Sequence, residues 1–245
     1  MKLYVSLESN LEMLQQQTPD NVLQLLEGVW HSHGPALIGT PAVRDAIQQL
    51  PVPCLSGGVY ALCDTYLPLP SLRRQCARFM ASHESFPFLD LNLGSSTTTG
   101  SEEEMLRDWG FLCAEFGVSR DNDVGFLLEV VSYIKDANPD GLSLGRCQNL
   151  ARLYVEIETK CSASPDSANV RDVVRCFFRD INGIAIPALR GAAAHAQWVG
   201  SEACTWQPPA PTTKYPIKAI YEGVLGTELR ADSTLALFFR RTLGL

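Results

Sequence analysis

Residues 101–116 read SEEEMLRDWGFLCAEF and are followed by Gly117. Ser101, three residues ahead of Glu104, forms a capping box. The serine oxygen accepts the Glu104 amide, and the glutamate carboxylate accepts the Ser101 amide. Glu102 and Glu103 place further negative charge at the positive end of the helix. Met105, Leu106, Trp109, Leu112, Cys113 and Phe116 recur at helical spacing and make one broad apolar stripe. Gly117 can leave the helix in the left-handed conformation. A helix over 102–116 is therefore expected.

The same signals continue upstream. Ser71 opens a helix with Leu72, Cys76, Phe79 and Met80 inward and Arg73, Arg74 and Arg78 outward. Thr40-Pro41 is a helix start, and Val43, Ile47 and Leu50 share a face before Pro51 and Pro53 end it. Asp20 precedes an apolar set from Val22 to Trp30. Leu3, Leu7, Leu11 and Leu14 form another stripe. Short strands are the alternative over 3–7 and over 58–63.

Downstream, a helix beginning near residues 119–123 buries Leu127, Leu128, Val131 and Ile134. Asn138-Pro139-Asp140-Gly141 is a turn. Leu144, Cys147, Leu150, Tyr154 and Ile157 line the next helix, and residues 161–169 read as a loop. Val170, Val173, Val174, Phe177, Phe178 and Ile181 form the most apolar face in the chain, with Arg171, Arg175 and Arg179 beside it. A short helix is expected from Ile186-Pro187 to Trp198. Helical patterning returns at Ile217, Ile220, Tyr221, Val224 and Leu225, then at Leu235, Leu237, Phe238 and Leu243. No repeat of fixed period appears. The expected fold is all-α, an irregular multi-helix bundle of about eight to ten helices with a few short strand segments.

Residues 1–204 are expected to form a helical core domain, with an exposed loop at 92–100 as a candidate subdomain boundary. Residues 205–216, TWQPPAPTTKYP, read as a rigid extended spacer. Residues 217–245 then form a C-terminal helical segment docked on the core or on a partner.

A net charge of -7 repels a phosphate backbone, so nucleic acid is not an expected partner. No apolar run reaches the ~18–20 residues that span a bilayer, and none follows Met1-Lys2 as a signal peptide would. A cytoplasmic location is the expectation. The eight cysteines show no C-x-x-C spacing and several fall inside apolar helix stripes, which suits buried free thiols better than disulfides or zinc.

Motifs of chemistry are sparse. His31 and His33 are the one close histidine pair, and on a helix their rings diverge by about 200°; Gly34-Pro35 follows them and suggests a helix terminus or loop. Asp121 and Asp123 read as helix-start caps, and adjacent His83 and Glu84 do not share a helical face. No Walker, dinucleotide or nucleophile-elbow pattern occurs, and no cofactor is implied. Apolar helix face is plentiful. The expected function is a protein–protein interaction module: an adaptor, chaperone or subunit of a larger assembly, binding another protein or itself. Candidate partner-binding residues are Phe177, Phe178, Trp206, Leu235, Phe238 and Phe239. One alternative is an all-helical enzyme with a metal- or thiol-dependent pocket drawing on His83, Asp90, Cys113, Asp121, Asp123 and His195. Another is a homodimeric structural protein.

Overall fold

A computed structural model describes residues 18–82, 84–91, 101–187, 195–207, 213–225 and 233–245. The fold is all-α with a few short strand segments. The helices are α1 (Pro19–Ile38), α2 (Pro41–Gln48), α3 (Pro70–Phe79), α4 (Glu102–Phe116) and α5 (Val124–Ala137). They continue with α6 (Leu144–Ala163), α7 (Ser167–Asp180), α8 (Ile217–Leu225) and α9 (Thr234–Leu237), the last running into a π-turn at Phe238–Thr242. The expected stripe at 3–16 and the loop at 92–100 lie outside the described residues.

The chain divides into two compact units. The first holds Met1–Gln75 and Phe86–Asp121, and the second holds Cys76–Ser85 and Asn122–Leu245.

In the first unit, α4 forms as its sequence directs. Ser101 Oγ accepts the Glu104 amide at 3.2 Å, and the Glu104 carboxylate accepts the Ser101 amide at 2.8 Å. Gly117 closes the helix at φ +80°, where a Cβ would also meet Cys63 Cβ at 3.3 Å. A Ser101→Ala variant is expected to lose about 1 kcal/mol of stability in a urea titration. Leu112 and Phe116 are buried, and Phe111 stacks on Trp30 of α1 at 4.7 Å. Helix α1 does not stop at Gly34-Pro35 but continues to Ile38. Gly34 leaves room for the Trp30 ring, which a Cβ there would approach to 3.1 Å. The strand alternative over 58–63 is realised as β2 (Val59–Ala61), which pairs antiparallel with β1 (Pro51–Pro53) in a hairpin. Gly57, at φ +79°, turns the chain between them.

In the second unit, Asp123 caps α5 by accepting the Phe126 amide at 2.9 Å. Helix α6 is the central element and buries Cys147, Leu150, Tyr154, Ile157 and Cys161 along one stripe. It extends to Ala163, so the loop expected over 161–169 shrinks to residues 164–166. The helix expected between Ile186 and Trp198 is not formed. Strands β4 (Ile184–Pro187) and β5 (His195–Val199) pair antiparallel there, and β3 (Leu142–Ser143) pairs on the other side of β5. Distant tyrosines complete that backbone. Tyr154 donates its hydroxyl to Gly183 O at 2.7 Å, and Tyr221 of α8 donates to Ala185 O at 2.9 Å. Local propensity yields to these long-range partners.

The proline-rich segment leaves and returns to one place. Strand β6 (Cys204–Thr205) pairs in parallel with β7 (Tyr215–Pro216), and Lys218 N donates to Trp206 O. Residues 208–212 of the expected spacer lie outside the described residues.

Candidate functional site

Two ion pairs organise the second unit, one with a half-buried arginine and one wholly buried. Glu84 is enclosed by donors. Arg146 Nη2 reaches its two oxygens at 2.6 and 2.5 Å, Asn138 Nδ2 donates at 2.7 Å, and Ala81 N donates at 2.7 Å. The same arginine donates to Phe79 O, and Trp198 Nε1 donates to Asn138 O. This carboxylate therefore anchors residues 79–84 to α5, α6 and β5, and its oxygens are occupied.

The second pair closes a ring across α6, α7 and the C-terminal turn. Arg171 Nη2 donates to Glu158 Oε1 at 2.9 Å and to Ser162 Oγ at 2.8 Å. Arg171 Nε donates to Thr242 Oγ1 at 3.1 Å. The Ser162 hydroxyl then donates to Glu158 Oε1, and the Thr242 hydroxyl donates to Glu158 Oε2. Glu158, Arg171 and Thr242 are all buried. The sequence did carry a signal: Glu158 falls on the buried α6 stripe, one residue from Ile157 and four from Tyr154. A charge in that position needs a buried partner.

This ring turns α7. Taking Val170 as zero and about 100° per residue, the apolar set from Val170 to Ile181 centres near roughly 10°. The buried residues of α7 are Arg171, Val174 and Phe178. Their centre lies near roughly 70° on the same scale. Arg171 is thus drawn inward and the opposite edge of the stripe is left outside. Val173 is 56% exposed, and Val170 and Phe177 are half-buried.

Beside that edge lies a groove of about 450 Å³ where the start of α5, the end of α6 and the first turns of α7 meet. Val124, Leu128, Val170 and Val173 give it apolar walls, and Asp123 and Lys160 stand among its polar residues. Lys160 Nζ donates to Asn122 O at 2.6 Å, close to the negative end of α6.

The chain matches no family model, no curated protein and no solved structure.

Of the six apolar candidates, Phe178, Trp206, Leu235, Phe238 and Phe239 are buried within this chain, and Phe177 is half-buried. Phe238 stacks on Tyr154 at 4.9 Å, and Phe239 meets Tyr221 at 5.0 Å. Of the polar candidates among the described residues, only Asp123 lines the groove. Asp90 is half-buried and Asp121 exposed, His83 lies outside the described residues, and the His195 side chain is likewise not described. His31 and His33 are both exposed on α1, where His31 Nδ1 pairs with Glu27 O at 2.8 Å. Among the described residues, no group of three His, Cys, Asp or Glu side chains is arranged to hold a metal ion. No described helix is long and apolar enough to cross a membrane.

All eight cysteines are free. Burial pushes the Cys54, Cys76 and Cys204 thiols up to about 12 and those of Cys113, Cys147 and Cys161 up to about 11. These groups stay protonated at neutral pH and behave as small apolar side chains. Cys176 on α7 is exposed. Cys63 is half-buried, and burial and the neighbouring Asp64 carboxylate push its thiol up. A disulfide reagent at pH 8 is therefore expected to react fastest at Cys176 in the native chain, and Cys176→Ser to abolish that fastest phase.

Proposed function

We propose that the chain is a helical protein–protein interaction module, an adaptor, chaperone or subunit of a larger cytoplasmic assembly. It docks its partner on the outer edge of α7 and the adjoining groove. The observation that carries this reading is the rotation of α7, which leaves Val173 56% exposed beside an apolar groove. An apolar edge next to a concavity suits an aliphatic or aromatic anchor from a partner. Phe177 belongs to this edge. The other five apolar candidates serve the interior, so the proposed surface is narrower than the apolar content of the sequence implies. The net charge of -7 favours a protein partner over nucleic acid.

The test compares the tagged chain with its Val173→Asp variant, purified from the native host at low salt. The exposed position should leave the melting temperature unchanged. The expected result is a stoichiometric partner that the variant retains at least about tenfold less well. A partner held equally by both chains removes the site from α7. A monomer with no partner in either preparation overturns the proposed function, and a dimer by light scattering that persists in Val173→Asp turns it to self-association elsewhere.

A further inference from the structure

The ring of Glu158, Arg171, Thr242 and Ser162 does more than join three elements. The apolar stripe of α7 and its buried face do not coincide. Packing by its apolar stripe alone would turn Val173 and Phe177 inward and leave Arg171 at the boundary with water. The observed packing is rotated by about 60° from that arrangement. It buries Arg171 and leaves Val173 out. Two sets of groups favour the observed rotation: Phe178, which meets Tyr154 at 5.5 Å and Phe238 at 5.3 Å, and the ring, with one carboxylate, one guanidinium and two hydroxyls, each hydroxyl both accepting from Arg171 and donating to Glu158.

We propose that this buried ring is an orienting latch: it selects the rotation of α7 and thereby keeps the Val173–Phe177 edge at the surface. Buried ionic groups can specify one packing among several even where an apolar core would be as stable. Two features of the ring suit that role. Its geometry is directional, because a guanidinium satisfied at Nε and Nη2 by different elements tolerates little rotation. It also joins residues far apart in the chain, since Thr242 lies 71 positions beyond Arg171 and 84 beyond Glu158. The C-terminal turn therefore takes part in setting how α7 faces. The inference rests on the proposed function only for the use of the exposed edge, and the orientation itself is measurable without any partner.

The experiment places a reporter on the edge. Val173→Cys is made in a Cys176→Ser background, and its maleimide labelling is corrected for that of the Cys176→Ser chain alone. With the ring intact, the thiol introduced at position 173 is expected to react as an exposed one. The ring is then removed by Glu158→Leu with Arg171→Gln, which deletes both charges and leaves position 171 polar. The expected result is a folded chain in which the introduced thiol labels at least about tenfold more slowly, because the apolar edge has turned inward. The charge-exchanged pair, Glu158→Arg with Arg171→Glu, is expected to restore fast labelling. Labelling unchanged in a folded Glu158→Leu/Arg171→Gln chain overturns the proposal, since α7 then keeps its rotation without the ring. Loss of the helical signal in that variant overturns it too, because the ring would then hold the fold together rather than choose between two packings. Neither result bears on whether the edge binds a partner, which Val173→Asp tests separately.

Discussion

Arg171→Met is expected to destabilise the second unit by about 3–5 kcal/mol, because it leaves Glu158 buried without a counter-charge. The Glu158 side chain is 1% exposed, and the Arg171 side chain is 6% exposed. After the substitution only the Ser162 and Thr242 hydroxyls still face that carboxylate, and hydroxyls do not neutralise it. The carboxylate must then take up a proton, draw in water or unfold its surroundings. Combining Glu158→Leu with Arg171→Met is expected to recover most of the loss, since a well-packed apolar pair replaces a buried ion pair at little net cost. Urea unfolding followed by helical circular dichroism measures both variants. A loss below about 1 kcal/mol for Arg171→Met would mean that Glu158 is solvated in the native chain, as exposed pairs are.

The second large effect is expected from Phe238→Ala, at about 3–5 kcal/mol. Phe238 is fully buried, stacks on Tyr154 at 4.9 Å and meets Phe178 edge-on at 5.3 Å. Truncation removes an aromatic ring from the centre of the cluster that joins α6, α7 and the C-terminal turn. The cavity left behind has rigid neighbours on each side, so little of it can collapse. The comparison with Val173→Ser is informative. That exposed position is expected to change stability by no more than about 0.5 kcal/mol. Thermal melts of the two variants would separate an interior residue from a surface one. A Phe238→Ala chain as stable as the parent would show that the C-terminal turn does not pack as described.

The helices were legible where the controlling groups lie within a turn of one another. The capping box of Ser101 and Glu104, the left-handed Gly117 and the Asp123 cap each involve residues no more than five positions apart. The buried stripes of α3 and α6 follow from 3.6-residue periodicity in the same way. Leu72, Cys76 and Phe79 are inside, with Arg73, Arg74 and Arg78 outside. Short-range reading failed at Gly34-Pro35, where α1 continues, and at 186–198, where β4 and β5 replace the expected helix. In the second case the deciding partners are Tyr154 and Tyr221, and neither is near the strands in sequence.

The candidate site was legible in kind but not in place. Periodicity marked 170–181 as the most apolar helix face, and the groove does border it. Periodicity could not say which part of that face stays outside, because the answer depends on where Arg171 finds a carboxylate.

By itself the sequence determined the helical class, most helix boundaries and the apolar stripes, since backbone capping and side-chain period act over a single turn. Only the tertiary structure decided which apolar residues are interior and which remain at the surface. It brings Glu158, Arg171 and Thr242 together from distant positions, and a charge buried among apolar side chains must meet its partner before the helix carrying it can settle.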